Sequence, residues 1–153
     1  MWHTMINETA PVVAKQQLLI HAPVETVWNV LTSINDWPKW QSTITQAQLK
    51  GAVREGTVFV WKAGVLNFTS KIHTCQPFDF FGWTGKTIGA SAIHNWMFKK
   101  QGESTLVFIE ESMQGFFPFI MKKKFNKDLE KGMRRNLEEL KSASEKAFAA
   151  VSQ

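Results

Sequence analysis

The stretch PFIMKKKFNKDLEKGMRRNLEELKSASEKAFAAV, residues 118–151, decides the fold. Pro118 suits the first turn of a helix, where its missing N–H is not needed. Met121, Phe125, Leu129, Met133, Leu140, Ala143 and Ala147 then follow the three-and-four spacing of an amphipathic helix. Lys123, Lys127, Arg134, Glu138 and Lys141 fall on the opposite side. At 1.5 Å per residue such a helix is roughly 50 Å long. Its apolar stripe has two exceptions, Gly132 and Asn136, near its middle. A buried helix face gains about 25 cal/mol per Å² of apolar area removed from water. A glycine and an amide there are either a packing accommodation or the wall of something other than solid core.

The rest of the chain must supply the surface against which this stripe is buried. The 153 residues suit one domain, expected over residues 11–153 behind a loose leader at 1–10. The leader has neither the basic start nor the apolar run of a signal peptide. No run of eighteen apolar residues predicts a membrane span, and Cys75 is the only cysteine, so a cytoplasmic location is the default expectation. Seven Trp and twelve Phe stand beside no Tyr; the aromatic surface is suited to apolar and π contact, with indole N–H groups as its only ring donors. The net charge of +5 is concentrated in the last segment: nine basic and five acidic residues lie from Pro118 onward, against nine and eight before it. These basic residues oppose the apolar stripe instead of alternating with aromatics, which reads as a solvated helix face and not a nucleic-acid footprint.

In order, residues 12–20 read as a strand, ended by Ala22 and Pro23. Val24, Val27, Trp28 and Leu31 give a short helix, and residues 36–40 a second helical turn with Asp36 as N-cap. The period then changes to two. Strands are expected at 44–49, 57–62, 65–73, 80–85, 92–100 and 105–113, with Ala63–Gly64 as one two-residue hairpin link. Short connections between successive strands require an antiparallel sheet. A sheet of seven strands twists and coils, and the long helix, arriving last, lies in its concavity. The predicted class is α+β.

This order resembles the helix-grip fold of the START/Bet v 1-like superfamily, in its polyketide cyclase/dehydrase and lipid-transport branch (SRPBCC). The resemblance is carried by residues 20–28 (IHAPVETVW), 36–40 (DWPKW), 82–85 (GWTG), 94–98 (HNWMF) and 111–115 (ESMQG). It implies a seven-stranded antiparallel curved sheet wrapped around a long C-terminal helix, with two short helices between strands 1 and 2. It also implies a cavity between sheet and helix, whose contents differ widely among members. Fold alone does not assign function.

Strand phase places Phe59, Trp61, Phe68, Trp83, Trp96 and Phe98 opposite Phe125, Leu129 and Met133. They either fill a solid core or line a ligand site, which is typically apolar with a few polar groups. His94 shares the phase of Trp96 and Phe98, as a ligand partner or acid–base group or as a satisfied core histidine. Of the adjacent Glu110 and Glu111, alternation sends one inward; Glu111 is the candidate to act with His94. Ser70 and Asn136 are candidate polar lining, and Gly132 a place for the helix to stand back. There is no nucleophile elbow, no phosphate loop and no metal-ligand spacing, so neither metal nor cofactor is expected. Phe116, Phe117, Phe119 and Ile120 precede Lys122, Lys123 and Lys124. That sequence fits either a capped cavity mouth with solvated lysines or transient contact with an anionic membrane surface. The expected function is binding of a small hydrophobic (lipid-like, aromatic or polyketide-like) molecule. The alternatives are a cyclase or dehydratase using His94 and the inward glutamate, and a co-chaperone-like interaction module.

Overall fold

A computed structural model describes residues 4–153. Strand β1 (Val12–Ile20) leads to α1 (Val24–Thr32), a 3₁₀ turn (Ile34–Asp36) and α2 (Trp37–Trp40). Six strands follow: β2 (Ile44–Leu49), β3 (Val58–Ala63), β4 (Leu66–Gln76), β5 (Phe80–Thr87), β6 (Ala90–Gln101) and β7 (Ser104–Gln114). The chain ends with α3 (Phe116–Ile120) and α4 (Lys122–Val151). All seven strands form one antiparallel sheet in the order β1-β7-β6-β5-β4-β3-β2.

The C-terminal stripe forms two helices where one is expected. Met121 leaves helical geometry, with φ −115° and ψ 37°, so Pro118 belongs to the separate short helix α3 and α4 starts four residues after it. The buried face of α4 is Met133, Leu137, Leu140 and Ser144; Ala143 and Ala147 are half-buried toward α1. The helix is clipped to the open edge of β1. Asn126 accepts from the Val13 N–H at 3.2 Å and donates to the Pro11 carbonyl at 3.0 Å. Gln16 donates to the Glu130 carbonyl at 2.8 Å, and Glu145 accepts from the His21 N–H at 2.9 Å. On its other flank, Glu139 accepts from the backbone N–H and the hydroxyl of Ser42. These bonds satisfy edge groups that would otherwise invite another strand, and they fix how far α4 stands from the sheet.

α1 and α2 close one end of the groove. Val27, Trp28 and Leu31 are buried as their spacing predicts. Asp36 occupies the cap position of α2 but makes no capping bond; its carboxylate pairs with Lys39 at 2.7 Å. Trp37 is 1% exposed, donates to the Leu31 carbonyl at 2.8 Å and packs edge-on to Phe59 and Trp61.

Three local expectations are corrected. The β3–β4 turn is Gly64–Val65 and not Ala63–Gly64, because Gly64 takes the left-handed φ of +58° while Ala63 still pairs with Leu66. The strand expected at 65–73 runs on to Gln76, across a register slip at His73 where Ile72 pairs with Trp83 and Thr74 with Gly82. The leader is anchored, not loose, from Thr4 onward. Ile6 is buried, the Asn7 N–H donates to Ser112 Oγ at 2.9 Å, and the Thr4 carbonyl accepts from Asn95 at 2.9 Å. Residues 1–3 of that leader lie outside the described residues.

Candidate functional site

The side chains of alternate residues in a strand share a face, so the pairing row Trp83–His94–Glu111–Ala14 faces the helix as a unit. Glu110 lies on the opposite face, where Asn95 donates to it at 3.1 Å and Lys15 approaches at 3.9 Å. This settles which of the adjacent glutamates is inward: Glu111 is. His94 Nδ1 meets Glu111 Oε2 at 2.5 Å, with both side chains largely buried. The imidazole lies flat on Trp83, with centroids 4.5 Å apart and planes 5° off parallel, and is tilted by 32° against Trp96. A carboxylate only accepts, so the proton on this contact sits on Nδ1, and the dyad orients Nε2 for a partner or a proton transfer.

Between this row and α4 lies a cavity of about 670 Å³. Its volume falls within the usual range for ligand sites. Trp61, Phe68, Trp83, His94, Trp96, Phe125, Leu129, Gly132, Met133 and Asn136 all line it, as does Glu111. A Cβ placed on Gly132 would meet nothing within 4 Å. The glycine of the stripe therefore faces open space.

Three expected lining residues do not reach the cavity. Phe59 is fully buried behind it, edge-on to Trp37 and Trp83. Phe98 packs against Trp28, beneath α1. Ser70 accepts from Trp61 Nε1 at 3.1 Å and so holds a wall residue without being one. In each case strand phase sends the side chain inward, but α1, α2 or a neighbouring ring covers it. Conversely, Leu31, Trp37, Gln41, Thr43 and Ile44 line the cavity from α1, α2, the α2–β2 connection and β2. Helical periodicity marks Leu31 only as buried, and nothing local distinguishes a void from a packed neighbour.

α4 closes the core at one end. From Leu137 onward α4 is packed, whereas Met121, Phe125 and Leu129 wall the cavity toward its mouth. There Gly115, at φ +124°, passes so close to the β5–β6 turn that a Cβ would stand 2.6 Å from the Gly89 carbonyl oxygen. The approach seats Phe117 at the rim, its N–H donating to the same carbonyl at 3.3 Å. Phe116, Phe119, Ile120 and Ile88 are left between 55% and 75% exposed. Lys124 bonds Asp128 at 2.5 Å on the same rim; this bond, with Lys131 and Lys127 nearby, holds the Asp128 carboxyl below the usual carboxylate range.

Among the described residues, no group of three or more His, Cys, Asp or Glu side chains is placed to hold a metal ion, and no helix is long and apolar enough to cross a membrane. The family model described as polyketide cyclase/dehydrase and lipid transport matches residues 11–145. The chain belongs to this family. Members of the family's fold recur among solved structures at low identity. Hypothetical protein jhp0584 from Helicobacter pylori matches with a TM-score of 0.80 and 14% identity, over 90% of each chain. The Zhui aromatase/cyclase from Streptomyces sp. R1128 gives 0.76 and 11%, over 87% of this chain and 93% of that one. A START superfamily protein from Mycobacterium smegmatis gives 0.68 and 13%, over 91% and 98%. These likenesses show the helix-grip fold. No curated protein matches the chain in sequence.

Proposed function

We propose that this chain binds a small, largely apolar molecule in the cavity between its sheet and α4. The observation that carries the reading is the open volume facing Gly132, walled by Trp61, Phe68, Trp83, Phe125 and Leu129. Leaving core volume unfilled costs several kcal/mol compared with packing it, and aromatic walls with few polar groups are the composition of a ligand site. A protein-interaction module has no need of such a space. Titration with an apolar fluorescent probe, followed by quenching of tryptophan emission, gives saturable one-to-one binding; a linear, non-saturating response refutes the reading.

A second reading is favoured by one contact, the 2.5 Å bond between His94 and Glu111. A carboxylate-oriented imidazole beside an apolar site is the arrangement of a general base, as a cyclase or dehydratase acting on a polyketide-like substrate requires. Under this reading His94→Ala abolishes turnover and leaves probe binding within a few-fold. Turnover that survives the substitution eliminates it.

Loading of the ligand involves transient contact with an anionic bilayer through the mouth. Phe119, Ile120 and Ile88 project apolar surface beside Lys122 and Lys123, the combination that seats a protein at a lipid headgroup layer. Phe119→Ser with Ile120→Ser lowers co-sedimentation with phosphatidylserine vesicles; equal sedimentation of the variant and the wild type rejects the contact.

A further inference from the structure

We infer that the molecule bound in this cavity carries a hydroxyl group on its buried end, held between His94 Nε2 and Trp96 Nε1. This rests on the cavity-binding reading above. Both residues line the cavity, at 8% and 2% exposure, and their ring centroids are 5.5 Å apart. Among the described residues neither nitrogen has a hydrogen-bond partner. Such atoms are uncommon, because a buried polar group without a partner costs about 1–3 kcal/mol. Two other indoles of the cavity wall are satisfied by the protein itself, Trp37 by the Leu31 carbonyl and Trp61 by Ser70. Other buried, unpartnered atoms, such as Trp40 Nε1 and Ser144 Oγ, belong to residues that do not border this cavity. Two of them therefore coincide on adjacent rings of one wall.

The chemistry of the two atoms selects the group. Indole N–H only donates, so Trp96 requires an acceptor. Nδ1 donates to Glu111, and in the uncharged form of the ring that leaves Nε2 as an acceptor in need of a donor. A carbonyl or ether oxygen satisfies Trp96 alone, and an ammonium, which only donates, satisfies His94 alone. A hydroxyl oxygen accepts from one and donates to the other. The ligand class is an apolar body, compatible with flat aromatic walls, bearing one buried alcohol, phenol or enol.

Calorimetric titration with naphthalene, 2-methoxynaphthalene and 2-naphthol tests this, since the three share one apolar frame. The expected result is 2-naphthol binding about tenfold more tightly than the methyl ether, the effect of one lost hydrogen bond. Trp96→Phe, which removes only the indole and its N–H, reduces the preference for 2-naphthol over naphthalene. In the wild type, the Trp96 indole proton resonance moves on adding 2-naphthol and not on adding naphthalene. Equal affinities for all three, or a preference unchanged in Trp96→Phe, overturn the inference and leave cavity binding standing. Absence of binding by all three overturns both.

Discussion

Replacing Gly132 with leucine puts a side chain into the space that the account assigns to a ligand. A Cβ there meets nothing within 4 Å, and the residue lies inside the helix that starts at Lys122. Glycine in a helix interior costs about 1 kcal/mol relative to alanine, and leucine is close to alanine on that scale. Full burial of a leucine gains about 1.5–3 kcal/mol; a side chain leaning on one wall of a cavity gains around half, or about 1 kcal/mol. The substitution therefore stabilises the fold by about 2 kcal/mol, which for a domain of this size raises Tm by about 4–8 °C. It also removes saturable binding of an apolar probe. Gly132→Ala gains only the propensity term, about 1 kcal/mol, and retains binding because a methyl group leaves most of the volume open. Thermal unfolding by circular dichroism and probe titration on the same samples measure both effects. A leucine variant that melts below the wild type and binds the probe unchanged would show that α4 has no open space at this turn, and the reasoning would fail.

Other outcomes follow from the same contacts. Trp37 is 1% exposed and packs against Phe59, Trp61 and Trp83, so Trp37→Ala costs about 3–5 kcal/mol in urea unfolding. Glu145 is held below the usual carboxylate range, first by the Lys141 hydrogen bond and then by the His21 N–H. A depressed carboxyl contributes stability above its unfolded pKa and loses it as pH falls through the folded one. Glu145→Gln is thus less stable than the wild type by about 0.5–1 kcal/mol at pH 7, and the gap closes in acid urea melts. Burial, with the charge of Glu55 adding to it, pushes the Cys75 thiol up; the folded chain reacts slowly with a thiol reagent at pH 8, and denaturant restores the rate of a free thiol.

Much of this was legible in the residues, and the parts that were not share a cause. The stripe from Phe125 to Leu140 and the alternating strands specify a sheet around a helix, because burial enforces both periods. Alternation also shows that one of Glu110 and Glu111 must turn inward, but not which one; that depends on the register of β6 against β7, which pairs His94 with Glu111. Phase sends Phe59, Phe98, Trp61 and Trp96 to one face alike. Only the third dimension separates the two covered by α1, α2 and their neighbours from the two left against open volume. Gly132 was the exception, a local feature whose misfit within an apolar stripe pointed directly to the space in front of it.

The central claim is that the space between sheet and α4 holds a molecule. Native mass spectrometry of the wild type and Gly132→Leu, each incubated with 2-naphthol, tests it most directly. The wild type forms a one-to-one adduct that is missing from the variant. No adduct on either chain, or equal adducts on both, contradicts it.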